Sequence, residues 1–408
     1  MATRSIAVAL LGFGLLGSFG LQAAEEVPLP EVPQGQTRIF KGGKSPYQTD
    51  QPNPGKAPKV YTIPMRGQLG TDITLPIYKE VIEDAKKKKP DLIVFVLQSA
   101  DYNQIDYIGD DDRAERGRFD QYEMRDLVNS LKEELRHIPQ VVWVKDVAGP
   151  ASPLAFPWPD IYMSSNGRLE GMSFAYMNAG HPDWEVHRKF LAAWVGIACG
   201  FLEAGGYDKA LGEALIIPER KLSVSWKGRE LIWQQDVDGT YVVDNSEKAV
   251  PVFNAKAAED LMLSKGTCDD LDDLMFLLGY REWDKSLVEK KEDGAPLVDD
   301  YIKKWRAAFA KCREAWRTYE REMEYASGED ALAHLGKARK ALQEILDAMN
   351  KYPAVEKRMG AAGIRKIDIE RLLREIREQI TAIEGRKRAV RGGGGLSGGG
   401  RGIGGSGR

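Results

Sequence analysis

The sequence predicts an α/β domain followed by a helical region, and three observations lead there. Between residues 58 and 283, short apolar runs alternate with helical segments, as a repeating βα sheet requires. One of those runs, LIVFVL at 92–97, is apolar at every position, which is what a strand covered on both faces needs. Beyond Gly279 the strand pattern stops, and large apolar residues recur in steps of four and three, the spacing of a helical seam.

Taken in order, the chain opens with MATRSIAVALLGFGLLGSFGLQAAEE. Arg4 precedes an apolar stretch, and the small residues Ala23 and Ala24 precede Glu25. That is the order of a signal peptide, so residues 1–24 are expected to direct export to the periplasm or cell envelope. The stretch is short and glycine-rich for a membrane span of about 20 residues. Residues 25–57, with VPLPEVPQGQ and QPNPGKAP, are too polar and too punctuated to bury a core and read as a linker.

The α/β domain is expected over 58–283. VYTIPM at 60–65 reads as its first strand, and 75–88 as a helix ending in lysines whose charge suits a helix C-terminus. After the central strand at 92–97 and a polar loop, 121–136 reads as a helix and VVWV at 141–144 as another buried strand. DIYM at 160–163 follows as a fourth. From 184 to 202, Trp184, Leu191, Val195, Ala198 and Leu202 fall on one helical face. LSVSWKG and LIWQQDVDGTYVV continue as strands, with Asp238-Gly239 as the expected hairpin turn. DVDG lacks the later ligand positions and the closing Glu of a calcium loop, so neither a metal nor a cofactor is expected.

A helical, coiled-coil-like region is expected over 284–388. Trp305, Phe309, Cys312, Trp316, Tyr319 and Met323 form one seam, and Ile369, Leu373, Ile376, Ile380 and Ile383 a second, with a helix at 335–349 between them. Turns near Ser327-Gly328 and Tyr352-Pro353 make this a helical hairpin or small bundle. Spacing alone leaves open whether the seams pack within the chain or between chains, so both protein or peptide partners through the helical region and a homo-oligomer are expected readings. Residues 389–408, rich in Gly and Arg, have no apolar periodicity and read as a disordered tail.

Hydrophobic content of 43% and charged content of 29% are ordinary for a globular protein and exclude a wholly disordered or multi-span membrane chain. The net charge of -3 hides an asymmetry: residues 357–408 hold 13 Lys and Arg against 5 Asp and Glu, a local +8 that leaves -11 elsewhere. An anionic envelope surface is the counter-charge expected for that basic end, and nucleic acid is not, because an exported protein rarely meets it. The three cysteines, Cys199, Cys268 and Cys312, have no metal-like spacing, and no disulfide is expected. Cys312 sits inside a seam, as a core filler would.

VYTIPMRGQLGTDITLPIYKEVIEDAKKKKPDLIVFVLQS resembles the opening of NfeD-type and signal-peptide-peptidase-A-type serine peptidases. QVVWVKDVAGPASPLAFPWPDIYMSSNGRLEGMS is similar to the segment where that family has a strand, a nucleophile turn, a helix, a DxIYM-like strand and a Gly-rich loop. VFNAKAAEDLMLSKGTCDDLDDLMFLLGY matches its C-terminal pattern of an Ala-rich helix leading to an acidic, Leu-rich one. The resemblance covers 58–283 and implies a ClpP/crotonase-like spiral of βαβ units. The membrane region that usually follows the protease-like domain of NfeD-type proteins has no counterpart here, since no later segment approaches about 18 uninterrupted apolar residues.

In that family a serine at a helix start attacks the peptide carbonyl, and a desolvated lysine removes its proton. The resemblance carries these roles to Ser152, in Pro150-Ala151-Ser152-Pro153, and to Lys189. Ser-Pro is also a helix-capping combination. Pro157 and Pro159 crowd the following helix, and Lys189 falls opposite the apolar stripe. A histidine base would be His181 or His187, neither at the family's spacing. Relatives place a Gly-Gly oxyanion turn after the second strand, where this chain has Ala100 and Asp101. Without glycine the backbone cannot easily aim its N–H groups inward, and Asp101 brings negative charge toward a developing oxyanion. The expectation is weak or lost catalysis with a binding or scaffolding role in the envelope. The alternative is an active Ser/Lys endopeptidase acting on membrane or envelope proteins. A crotonase acting on acyl-CoA is disfavoured, because export removes the cofactor and the glycine turn is again missing.

Overall fold

The computed structural model describes residues 57–99, 121–172, 183–288, 296–327 and 330–393. The expected signal peptide, all of the linker up to residue 56 and the last fifteen residues of the tail lie outside them. All described residues belong to one compact unit spanning Thr37–Arg408.

The chain forms a mixed α/β body. β1 (Val60–Arg66), β2 (Leu92–Ser99) and β3 (Gln140–Val147) are parallel neighbours in the order of the sequence. Both β4 (Ile161–Met163) and β5 (Arg168–Glu170) pair parallel to β3, and β9 (Val252–Asn254) closes the far edge antiparallel to β5. α1 (Leu75–Lys88) and α2 (Gln121–Glu134) make the first two crossovers. Parallel strands that step in one direction through right-handed crossovers put those helices on one face.

The period-two alternation of the strands sorts their side chains into two cores. Tyr61, Ile63, Ile93, Phe95, Leu97, Val142 and Val144 point into the larger core, with α1 and α2. Val60, Leu92, Val94, Val96, Val141 and Trp143 point to the other, closed by Leu271, Leu274 and Met275. This two-sided burial is why 92–97 is apolar throughout. Each large side chain fully withdrawn from water contributes about 1.5–3 kcal/mol.

α3 (Trp184–Gly205) carries Ala198, Phe201 and Leu202 into the larger core, with Leu191 and Val195 partly buried beside them. It stops at Gly206, in the left-handed conformation that favours glycine at a helix end. α4 (Lys209–Ala214) leads to a separate three-stranded antiparallel sheet. Its strands are β6 (Leu222–Lys227), β7 (Glu230–Gln234) and β8 (Tyr241–Asp244), in the order β7-β6-β8.

That order corrects the expected turn. The hairpin closes at Gly228-Arg229, between the paired Lys227 and Glu230, and Gly228 has φ +66. Asp238-Gly239 instead lies on the path that carries the chain across β6. Asp236 accepts from Ser223 Oγ at 2.8 Å and from the Asp238 N–H at 3.0 Å, and the Gly239 N–H donates to Ser223 Oγ at 3.1 Å. A Cβ on Gly239 would lie 2.6 Å from that same oxygen.

α5 (Ala255–Asp260) and α6 (Leu271–Leu277) complete the body. The helical region then comprises α7 (Pro296–Glu324), α8 (Ala331–Lys351), α9 (Pro353–Ala361) and α10 (Lys366–Gly393). Both seams pack within the chain: Trp305, Phe309 and Cys312 share a core with Leu335, Leu342, Ile345, Ile369, Leu373 and Ile376. α9 is a separate helix that the apolar spacing of the sequence does not mark. Pro353 starts it, and Ala354, Val355 and Met359 fill the bundle core.

Cys312 is fully buried in that core, Cys268 in the smaller core of the body, and Cys199 is half-buried on α3. Burial pushes their thiols up to about 11, 12 and 11 respectively, which keeps them protonated at neutral pH. Among the described residues no helix is long and apolar enough to cross a membrane.

Candidate functional site

In open α/β sheets, ligands and catalytic groups gather at the carboxyl ends of the parallel strands. Here that edge consists of the turn after β1, the end of β2 and the turn after β3. The first two are tied together: the Gly67 N–H donates to the Gln98 carbonyl at 3.2 Å, and Ser99 Oγ donates to the Gly67 carbonyl at 2.6 Å. Ala100 and Asp101, the expected oxyanion positions, follow directly and lie outside the described residues, as does His181.

Ser152 occupies the turn after β3. Gly149, with φ +65, turns the chain out of the strand, and residues Gly149–Ala155 form a short 3-10 helix. Pro153, Pro157 and Pro159 remove three backbone donors in a row of seven residues, which limits this segment to a 3-10 turn. Every residue of the turn is buried, and Ser152 has 0% of its surface exposed. Its hydroxyl donates a hydrogen bond to the backbone carbonyl of Glu170 on β5. The lone proton that a general base would remove is therefore committed to an acceptor, and among the described residues the serine is closed over by its neighbours.

Lys189 stands on the exposed face of α3, as its place on the helical wheel implies. Among the described residues no hydrogen bond or ion pair joins it to Ser152. His187, one turn from the start of α3, is half-buried. Among the described residues, a lysine whose pKa is lowered by burial is Lys132 on α2. Its ammonium donates to the carbonyls of Pro157 at 2.6 Å and Ala204 at 3.3 Å, at the end of α3, where a cation meets the negative end of a helix. That role ties α2 to α3 and to the turn carrying Ser152.

Among the described residues, a cluster of charged side chains around two buried ones, Asp72 and Arg358, lies at the turn after β1. Asp72 has 0% exposure and accepts from the Gln68 N–H at 3.0 Å, Trp305 Nε1 at 3.1 Å and Arg306 Nη2 at 3.1 Å. Burial raises its pKa, outweighing the opposing pull of Arg306. Arg358 of α9, only 2% exposed, donates to Gln68 Oε1. Its neighbour Lys357 donates to the Gly70 carbonyl at 2.9 Å and forms an ion pair with Glu123. Glu123, from α2, also accepts from Thr74 Oγ1 and from the first N–H of α1 at 3.3 Å. Four parts of the chain thus meet in one network that fixes the helical region on the edge of the sheet. The hints in the sequence are an Asp just after a turn bounded by Gly67 and Gly70 and an Arg between apolar helical positions. Among the described residues no group of His, Cys, Asp and Glu could hold a metal ion.

No family model matches the chain, and no curated protein matches it. Among solved structures it is similar to the 1510-N membrane-bound stomatin-specific protease. A lysine-to-alanine mutant of that protein, in complex with a substrate peptide, shares 14% identity at a TM-score of 0.34, covering 53% of this chain and 78% of that one. A serine-to-alanine mutant shares 13% at 0.35, covering 54% and 85%. TM-scores of this size are too low to assign a fold.

Proposed function

We propose that residues 58–283 form a ClpP/crotonase-like domain of the NfeD-type serine peptidase class, that its catalysis is weak or lost, and that the chain acts as an exported binding or scaffolding protein of the cell envelope. Support for the fold comes from parallel strands stepping in one direction, with the three family-like segments falling on β1 to β2, β3 to β5 and β9 to α6. The observation that carries the loss of catalysis is Ser152: sealed in a 3-10 turn, its proton donated to the Glu170 carbonyl, with Lys189 on an exposed helix face. An acyl-transfer serine needs a base within hydrogen-bond reach and room for a tetrahedral centre. Neither accompanies this one among the described residues.

The scaffolding part of the reading rests on how the helices are held. A bundle fastened to the body by buried charge at Asp72 and Arg358 presents a fixed surface to a partner, where a tethered one would not.

The test is labelling with a fluorophosphonate probe. The full chain is expected to remain unlabelled, along with its Ser152→Ala variant. Labelling of wild type that disappears in Ser152→Ala would instead establish the active Ser/Lys endopeptidase.

A further inference from the structure

We infer that the C-terminal end of α10, beginning at Arg386, is a docking point for an anionic lipid surface. This inference is independent of whether Ser152 reacts.

α10 changes character along its length. Up to Ile383 it packs in the bundle, and Asp368, Glu370, Glu375 and Glu378 are interleaved with its cations: Arg371 pairs with Asp368 at 3.4 Å and Glu375 at 3.9 Å, and Arg365, just before the helix, pairs with Asp368 at 2.8 Å. After Glu384 the sequence contains no acidic residue at all. The helix nevertheless continues to Gly393. A Cβ on Gly385 would meet nothing within 4 Å, and Arg386, Lys387 and Arg388 are exposed, with no acidic partner among the described residues. Arg391 follows one turn later, and the sequence beyond adds Arg401 and Arg408 among glycines.

A bland account exists for some of this charge, since cations favour a helix C-terminus by about 0.3–1 kcal/mol each. It does not account for carrying the helix past its last packed residue. At about 100° per residue, positions 386, 387, 388 and 391 spread over more than half the helix circumference. A groove on a folded partner reads one face of a helix. Charge spread around a projecting end suits a broad, delocalised negative surface met end-on. Beyond Ile383 the helix has no apolar stripe to insert, so attachment would be electrostatic and reversible. Charge complementarity and the expected envelope location together select lipid headgroups over nucleic acid.

The experiment is co-sedimentation of the full chain with vesicles of phosphatidylcholine alone or mixed with phosphatidylglycerol. Binding is expected only to the anionic vesicles and is expected to weaken as salt shortens the screening length. Replacing Arg386, Lys387, Arg388 and Arg391 together by Gln should lower it by about 100-fold or more. Replacing the three Arg by Lys should retain it, because a lipid surface reads charge. The pair Arg374→Gln and Arg377→Gln, on the acid-interleaved part of α10, should change it by less than about threefold. Equal binding to neutral vesicles, full binding by the four-Gln variant, or preference for single-stranded RNA over anionic vesicles at the same salt would each overturn the inference. Unchanged helical circular dichroism in every variant separates loss of charge from loss of fold.

Discussion

Two turns leave the same edge of the sheet and have been put to opposite uses. The turn after β3 holds the serine that family resemblance marks as the nucleophile, yet it is apolar, sealed and satisfied by a backbone carbonyl. The turn after β1 has no expected role, yet it gathers Asp72, Glu123, Arg306, Lys357 and Arg358 from distant parts of the chain. Charge that a peptidase would concentrate around its nucleophile is concentrated here around a joint. The contrast teaches that polar residues at the carboxyl edge of a parallel sheet are no guide to chemistry until their partners are known.

The contrast is most exposed to failure at Trp305. Its side chain is fully buried and donates to Asp72 Oδ1, so Trp305→Ala combines a large cavity with the loss of one of the three donors to a buried carboxylate. A loss of about 3–5 kcal/mol is expected in urea unfolding. Body and helices should be lost in one transition, and separate transitions would show that the joint does not couple them.

Asp72 itself offers a pH test. Its folded pKa is raised by burial, so protonation favours the folded state. That contribution is full below the ordinary Asp value near about 4 and is lost as pH rises through the raised folded value. Asp72→Asn removes this titration. The stability of wild type relative to Asp72→Asn should therefore fall with rising pH across that window, as read from urea midpoints, and a difference that stays flat would mean Asp72 does not titrate with folding.

The turn after β3 should respond far less. Ser152→Ala removes one hydrogen bond and leaves the Glu170 carbonyl to be satisfied otherwise, a cost of about 1 kcal/mol. Lys189→Ala, on an exposed helix face, should stay within about 0.5 kcal/mol of wild type. If thermal melts showed Lys189→Ala to cost as much as Ser152→Ala, the two residues would have to be coupled in a way the contacts do not suggest.

Much of the scaffold was legible because it is written in local periodicity. The helix at 75–88 and the strand at 92–97 follow from apolar spacing and lysine placement, and both stand where they were expected. The wheel of α3 set Lys189 outward and Ala198 and Leu202 inward, as found. The β7-β6-β8 order was not legible, because Gly228-Arg229 and Asp238-Gly239 both carry turn residues and only pairing energies choose between them. The seal over Ser152 was half visible in its prolines, but the carbonyl that takes its proton belongs to β5. The joint at Asp72 was invisible for a plainer reason: each of its residues is unremarkable until the others arrive.

That separation has a consequence for how the molecule is made. Trp305 lies 233 residues beyond Asp72 along the chain. At synthesis rates of about 5–20 residues per second, Asp72 would wait roughly 10–50 s for its partner to emerge. Throughout that interval the carboxyl edge of β1 lacks the helices that cover it. A chain cut short before α7 would leave Asp72 and Glu123 without the partners that α7 and α9 bring to them.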